Sequence, residues 1–141
     1  MNSSLILDGL RILVVEDNED ARDLVSFILA AAGASVEVTA SAADGFEALR
    51  SSLPQMLVSD IGMPNEDGYS LMRRIRALRS AEGGDTPAIA LSAFARAEDR
   101  RRALAAGFTL HMAKPVGPAD LVAAAATLAD HIRQRHVETA R

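Results

Sequence analysis

Residues 12–39 read ILVVEDNEDARDLVSFILAAAGASVEVT, and the rest of the chain repeats the pattern laid down there. Ile12–Val15 is an unbroken apolar run, mostly β-branched, ending on Glu16 and Asp17. Such a run suits a strand buried on both faces. Ala21, Leu24, Val25 and Ile28 then recur at three- and four-residue steps and stop at Gly33, the spacing of one helix face. Ser35–Thr39 alternates Val36 and Val38 with Glu37, the period of a half-exposed strand. Strand, helix and strand in so short a span imply a parallel unit with a helical crossover.

Downstream the alternation continues. Ser41 is an N-cap candidate, with Ala42, Phe46 and Leu49 on one helical face behind it. Met56–Val58 is a second buried strand, ending at Ser59 and Asp60. After the turn-rich Gly62–Gly68, Leu71, Ile75 and Leu78 mark a third helix. Gly83–Pro87 is a loop before the buried strand Ala88–Leu91, which ends at Ser92. Arg96–Ala106 is helical and closes at Gly107, a residue that readily takes the left-handed conformation. Phe108, Leu110 and Met112 alternate with Thr109 and His111 as a fifth strand. Pro118 suits the first turn of a last helix faced by Leu121, Ala125, Leu128 and Ile132.

The fold expected is α/β: a doubly wound, flavodoxin-like, five-stranded parallel sheet with helices on both faces. The continuously apolar strands belong in the centre and the alternating second and fifth at the edges, giving the order 2-1-3-4-5. Residues 1–9 read as an extension or linker, 10–132 as the domain and 133–141 as a polar tail.

A length of 141 residues suits one domain, and a hydrophobic content of 49% suffices for a real core. Aromatics make up only 4% with no Trp, so that core is aliphatic and alanine-rich. The net charge of −4, with both signs interspersed, argues against a nucleic-acid partner. The absence of cysteine excludes disulfides, thiolate metal sites and cysteine nucleophiles. No apolar run is long enough to cross a membrane, and Met1–Asp8 lacks the basic and apolar regions of a signal peptide. A cytoplasmic location is expected.

The polar residues carry the functional information. Glu16 and Asp17 end the first strand, Asp60 the third and Ser92 the fourth, and Lys114 follows the fifth. In a parallel sheet all five project onto one rim, at the first/third switch point where such folds bind ligands. Two carboxylates about 5 Å apart repel by roughly 3 kcal/mol at an effective dielectric near 20, so a cluster of three calls for positive charge. An all-oxygen, water-accessible cluster suits Mg²⁺ (or Mn²⁺). With a cation and Lys114 nearby, a phosphoryl group could approach Asp60, which becomes the nucleophile. Each residue also has an ordinary reading: Glu16–Asp20 as an acidic helix start capped by Asn18, Asp60 as a turn residue, Ser92 as a strand-end hydroxyl, Lys114 as a surface charge. Those readings leave the shared rim unexplained. The run Arg100–Arg102 reads as a solvated helix face, and Asn65, Glu66 and Asp67 as turn chemistry.

ILVVEDN at Ile12–Asn18, VSDIGMP at Val58–Pro64, Asp67–Gly68, LSA at Leu91–Ala93 and Lys114–Pro115 together resemble a response-regulator receiver domain. The resemblance runs from Leu10 to Ile132. It implies that Asp60 is the phosphoacceptor, Asp17 a direct Mg²⁺ ligand, Glu16 a ligand through water, and Gly62 a ligand through its backbone carbonyl. Ser92 and Lys114 would hold the phosphoryl oxygens, the small Ala93 would keep the approach open, and the Lys114–Pro115 peptide would be cis. It further implies a histidine kinase or histidine phosphotransfer protein as donor and a switching face on the fourth helix, fifth strand and last helix, which could also dimerise. Two positions depart from the common pattern. The acidic pair is Glu-Asp rather than Asp-Asp, and His111 stands where the family usually has the Tyr or Phe that swings with Ser92. An imidazole packs differently and titrates near neutral pH.

Two other organisations are consistent with the chain: a free-standing switch, relay or phosphate sink, or the receiver of a hybrid kinase, for which LDGLR at Leu7–Arg11 resembles a preceding linker. Two other classes are weaker. A small aspartyl-phosphate phosphatase or phosphotransferase commonly pairs a second aspartate with its nucleophile, which Asp60-Ile61-Gly62 lacks. A flavin carrier needs a phosphate-cradling loop where this chain is acidic.

Overall fold

The computed structural model describes residues 5–93 and 96–139. Residues 1–4 of the expected extension and 140–141 of the expected tail lie outside the described residues. The elements run β1 (Arg11–Val15), α1 (Glu19–Ala31), β2 (Ser35–Thr39), α2 (Ala42–Ser52), β3 (Met56–Asp60) and α3 (Gly68–Arg76). They continue with a 3₁₀ turn (Ser80–Glu82), β4 (Ala88–Ser92), α4 (Ala97–Ala106), β5 (Leu110–Ala113) and α5 (Pro118–Thr139). The sheet is parallel, in the order β2-β1-β3-β4-β5 expected from the strand patterns.

Alternation along the strands divides the interior into two layers. Leu13, Val15, Leu57, Ala88 and Ala90 meet α2, α3 and α4 through Phe46, Leu49, Leu71, Ile75 and Ala103. Ile12, Val14, Met56, Val58, Ile89 and Leu91 meet α1 and α5 through Val25, Ile28, Leu29, Leu121 and Leu128. Successive side chains of a strand point to opposite faces, so a strand apolar at every position must be covered on both sides. α1, α2 and α3 begin where side-chain caps supply an acceptor. Asn18 accepts from the Ala21 amide at 2.9 Å, Ser41 from Asp44 at 3.1 Å and Asp67 from Ser70 at 2.9 Å. Gly107 ends α4 with φ 118°.

Three boundaries differ from the sequence expectation. β5 starts at Leu110, because Phe108 is drawn 3% exposed into the core beneath α4 and Thr109 pairs with Ala88 before the strand proper begins. α5 runs past Arg133 to Thr139. Leu7, assigned to the extension, is 1% exposed in the α1/α5 layer, and its amide donates to the Ala32 carbonyl at 2.8 Å. Gly33 makes room for this segment: at φ 106°, a β-carbon there would lie 2.9 Å from the Asp8 backbone. Among the described residues no helix is long and apolar enough to cross a membrane.

Candidate functional site

The carboxyl ends of β1, β3 and β4 lie side by side, so the polar residues that stop these apolar strands converge on one rim. Glu16 extends β1, its amide donating to the Thr39 carbonyl at 3.1 Å, and is only 1% exposed. Its carboxylate is held from two directions, accepting from the Asn18 amide at 3.2 Å and from Lys114 Nζ at 2.8 Å. Asp60, at the end of β3, is 5% exposed and faces the same ammonium, with Nζ 3.1 Å from Oδ1. Asp17 is exposed at the head of the acidic turn. Carboxylate oxygens of Glu16, Asp17 and Asp60 lie within 4.8 Å of one another.

Local geometry explains how a buried acid is kept at the strand end. The chain turns sharply after Asp60, with the Ile61 amide donating to Leu91 and the Gly68 amide to Ile61. α3 therefore starts directly against β3. A β-carbon on Gly68 would lie 2.5 Å from the Asp60 carbonyl oxygen, so only glycine permits this approach. On the other side the Lys114 amide donates to the Ser92 carbonyl at 2.7 Å, and the Lys114–Pro115 peptide is cis. Ser92 is 3% exposed at the end of β4.

The electrostatics follow from burial and crowding. Burial pushes the Glu16 carboxyl above its ordinary value, and the charge of Asp60 adds to this, against the Lys114 hydrogen bond. Burial pulls Lys114 down, yet the hydrogen bonds it donates to Glu16 and Asp60 carry it to a net rise, so the ammonium is firmly charged. Three carboxylates against one ammonium leave an excess of negative charge when all are ionised. A set of oxygen donors this close together, one of them exposed so that water can complete a shell, fits a hard divalent cation.

Above Asp60 opens a cavity of about 330 Å³ lined also by Gly62, Ser92, Ala93 and Lys114. All the rim residues read from the sequence thus come together. His111 stands apart, half-buried on β5, and its buried Nε2 has no hydrogen-bond partner among the described residues. Burial lowers its pKa, Asp99 opposes the shift and Arg100 adds to it. Sequence reasoning missed Tyr69, Asp99 and Arg102, which line the same cavity. Arg102 sat in a run that looked merely solvated, and only the packing of α4 over the rim distinguishes it.

A family model described as the response regulator receiver domain matches residues 12–126. An uncharacterized 14.6 kDa protein of Leptolyngbya boryana is 47% identical over 111 residues, covering 79% of this chain and 83% of that protein. The sensor histidine kinase RcsC of Salmonella typhi is 32% identical over 127 residues, which span 90% of this chain but 13% of the kinase. The crystal structure of the signal receiver domain of a signal transduction histidine kinase from Syntrophus aciditrophicus superposes with a TM-score of 0.80 at 25% identity, covering 88% of this chain and 92% of that one.

Proposed function

The chain belongs to the response-regulator receiver family of two-component systems, and from that premise we propose that Asp60 is its phosphoacceptor, served by a divalent cation beside Glu16 and Asp17. The observation that carries this reading is the ammonium of Lys114 lying 3.1 Å from Asp60 Oδ1 within an acidic cluster that opens onto a cavity. A nucleophile at such a site must be an anion with its repulsion of phosphate relieved. Asp60 has the anion, and Lys114 relieves the repulsion.

In the reaction, an Asp60 carboxylate oxygen attacks phosphorus in line with the leaving group. For a phosphohistidine donor the P–N bond breaks as the O–P bond forms, its electron pair stays on the imidazole nitrogen, and that nitrogen regains a proton. The fit of the donors supports Mg²⁺ (or Mn²⁺) held by Asp17, Asp60 and the Gly62 carbonyl, with Glu16 acting through water; such a cation would supply charge to the phosphoryl oxygens. Lys114 follows the new phosphoryl group because it already bridges Glu16 and Asp60. Ser92 offers a hydroxyl from the neighbouring strand end, and Ala93 leaves the approach open.

The donor is a histidine kinase or histidine phosphotransfer protein, in keeping with relatives that are receivers within longer kinases. The consequence is a shifted conformational balance across α4, β5 and α5, a face that partners would read. The chain then acts as a cytoplasmic phosphoacceptor rather than as an enzyme on small substrates. Incubation with acetyl phosphate and Mg²⁺ should add one phosphoryl group, and Asp60→Asn should abolish the addition. Unchanged labelling of Asp60→Asn would overturn the assignment.

A further inference from the structure

The cavity over Asp60 has a wall that the motifs leave unassigned, made by Tyr69 of α3 with Asp99 and Arg102 of α4. Tyr69 is 6% exposed, held in the first turn of α3 by the same close approach that Gly68 permits. The Arg102 guanidinium lies 4.3 Å from the centroid of its ring. A cation stacked on a buried aromatic face is fixed in place without being neutralised. Among the described residues Arg102 forms no ion pair, and a guanidinium stays charged at any working pH. Lys114, by contrast, is already engaged with both Glu16 and Asp60. Arg102 is exposed and so stands at the cavity's mouth.

Asp99 sits one turn before Arg102 and works against it. Among the described residues its buried Oδ2 has no hydrogen-bond partner, and it places a carboxylate on the wall of a cavity that must admit a phosphate. We propose that Arg102 is a donor-recognising residue, a second cation that receives the non-bridging phosphate oxygens of the incoming phosphodonor at the mouth of the cavity while Lys114 serves the transferred group at Asp60. This rests on Asp60 being the acceptor. With an acyl phosphate, the Asp60 O–P bond forms, the P–O bond to the acyl group breaks, and its electron pair leaves on the carboxylate. Arg102 neither gives nor takes a proton. It acts on affinity, and the stack on Tyr69 sets where.

The test uses the full chain with acetyl phosphate and saturating Mg²⁺, following initial phosphorylation rates by intact mass. Arg102→Gln should raise KM roughly tenfold, the size of one charge-assisted contact, and leave kcat within about twofold. Its rate should also fall less steeply with added salt than that of the unaltered protein. Arg102→Lys, which keeps the charge but not the planar stack, should fall between the two. Asp99→Asn should lower KM. Tyr69 is the single tyrosine and there is no tryptophan, so tyrosine emission reads this wall directly. Beryllofluoride should change that emission in the unaltered protein and change it less in Arg102→Gln. An unchanged KM and salt dependence in Arg102→Gln would overturn the proposal, as would a rise in KM for Asp99→Asn. If Asp60→Asn is inert while Arg102→Gln is kinetically normal, only the role of Arg102 fails; labelled Asp60→Asn would remove the acceptor reading beneath it.

Discussion

Among single residues, Asp17 shows how function and stability oppose each other. Its carboxylate is crowded within 4.8 Å of those of Glu16 and Asp60. It also stands just before α1, where a negative charge gains about 0.3–1 kcal/mol from the helix dipole. Repulsion from two carboxylates opposes that gain, offset in part by the Lys114 ammonium that both of them contact. Asp17→Asn should remove the stabilisation that Mg²⁺ adds. Thermal melts with and without Mg²⁺ decide this; an Mg²⁺-dependent rise surviving in Asp17→Asn would contradict it. Lys114→Ala removes the cation that two buried acids share, so phosphorylation should slow at least tenfold while metal binding persists. Equal phosphorylation by that variant would take the lysine out of the mechanism.

His111 makes a pH prediction with a definite sign. Burial holds its pKa below the ordinary 6.5, so on acidification the unfolded chain takes up the proton first. The stability it contributes is full above 6.5 and is lost as pH falls through the lower folded value. Melts from neutral to mildly acidic pH should show a shallower decline for His111→Phe than for the unaltered protein, and identical slopes would refute this. Roles at this scale were legible unevenly. Glu16, Asp17, Asp60, Ser92 and Lys114 could be read because each interrupts or follows an apolar strand. Tyr69 and Arg102 could not, since their meaning depends on which helix faces cross over the rim.

Between elements, the decisive contact is α3 against the end of β3. Gly68→Ala puts a β-carbon 2.5 Å from the Asp60 carbonyl, a backbone atom that cannot swing aside. The helix start or the strand end must shift, at about 1–3 kcal/mol, and the acceptor would move with it. Lower thermal stability together with slower phosphorylation is expected; a variant normal in both would show that the contact is slack. Element boundaries were less legible than element identity. Alternation from Phe108 to Met112 looks like one strand, yet Phe108 is recruited by the core under α4, and the pairing of Thr109 with Ala88 has no signature in hydropathy. The polar run after Ile132 gives no apolar stripe, although α5 continues through it.

For the molecule as a whole, hydropathy pattern separated central from edge strands, because a strand apolar at every position must be covered on both faces, and the doubly wound template supplied the order. The N-terminal limit had no such signal. Leu7 lies in a stretch too short for periodicity, and its burial depends on the turn around Gly33. Leu7 packs with the α1/α5 layer of the domain. Leu7→Ala should cost about 2–4 kcal/mol, the usual range for emptying a buried leucine site, and a loss below the usual effect of a surface substitution would return the segment to linker status. Two buried layers fix three strand ends, and these hold an acid cluster whose like charges crowd around the Lys114 ammonium. The direct test is intact mass after incubation with acetyl phosphate and Mg²⁺, with and without chelator, for the unaltered protein and Asp60→Asn. A single phosphoryl adduct is predicted only for the unaltered protein with metal present. An adduct on Asp60→Asn, or one formed equally well in chelator, would contradict the account.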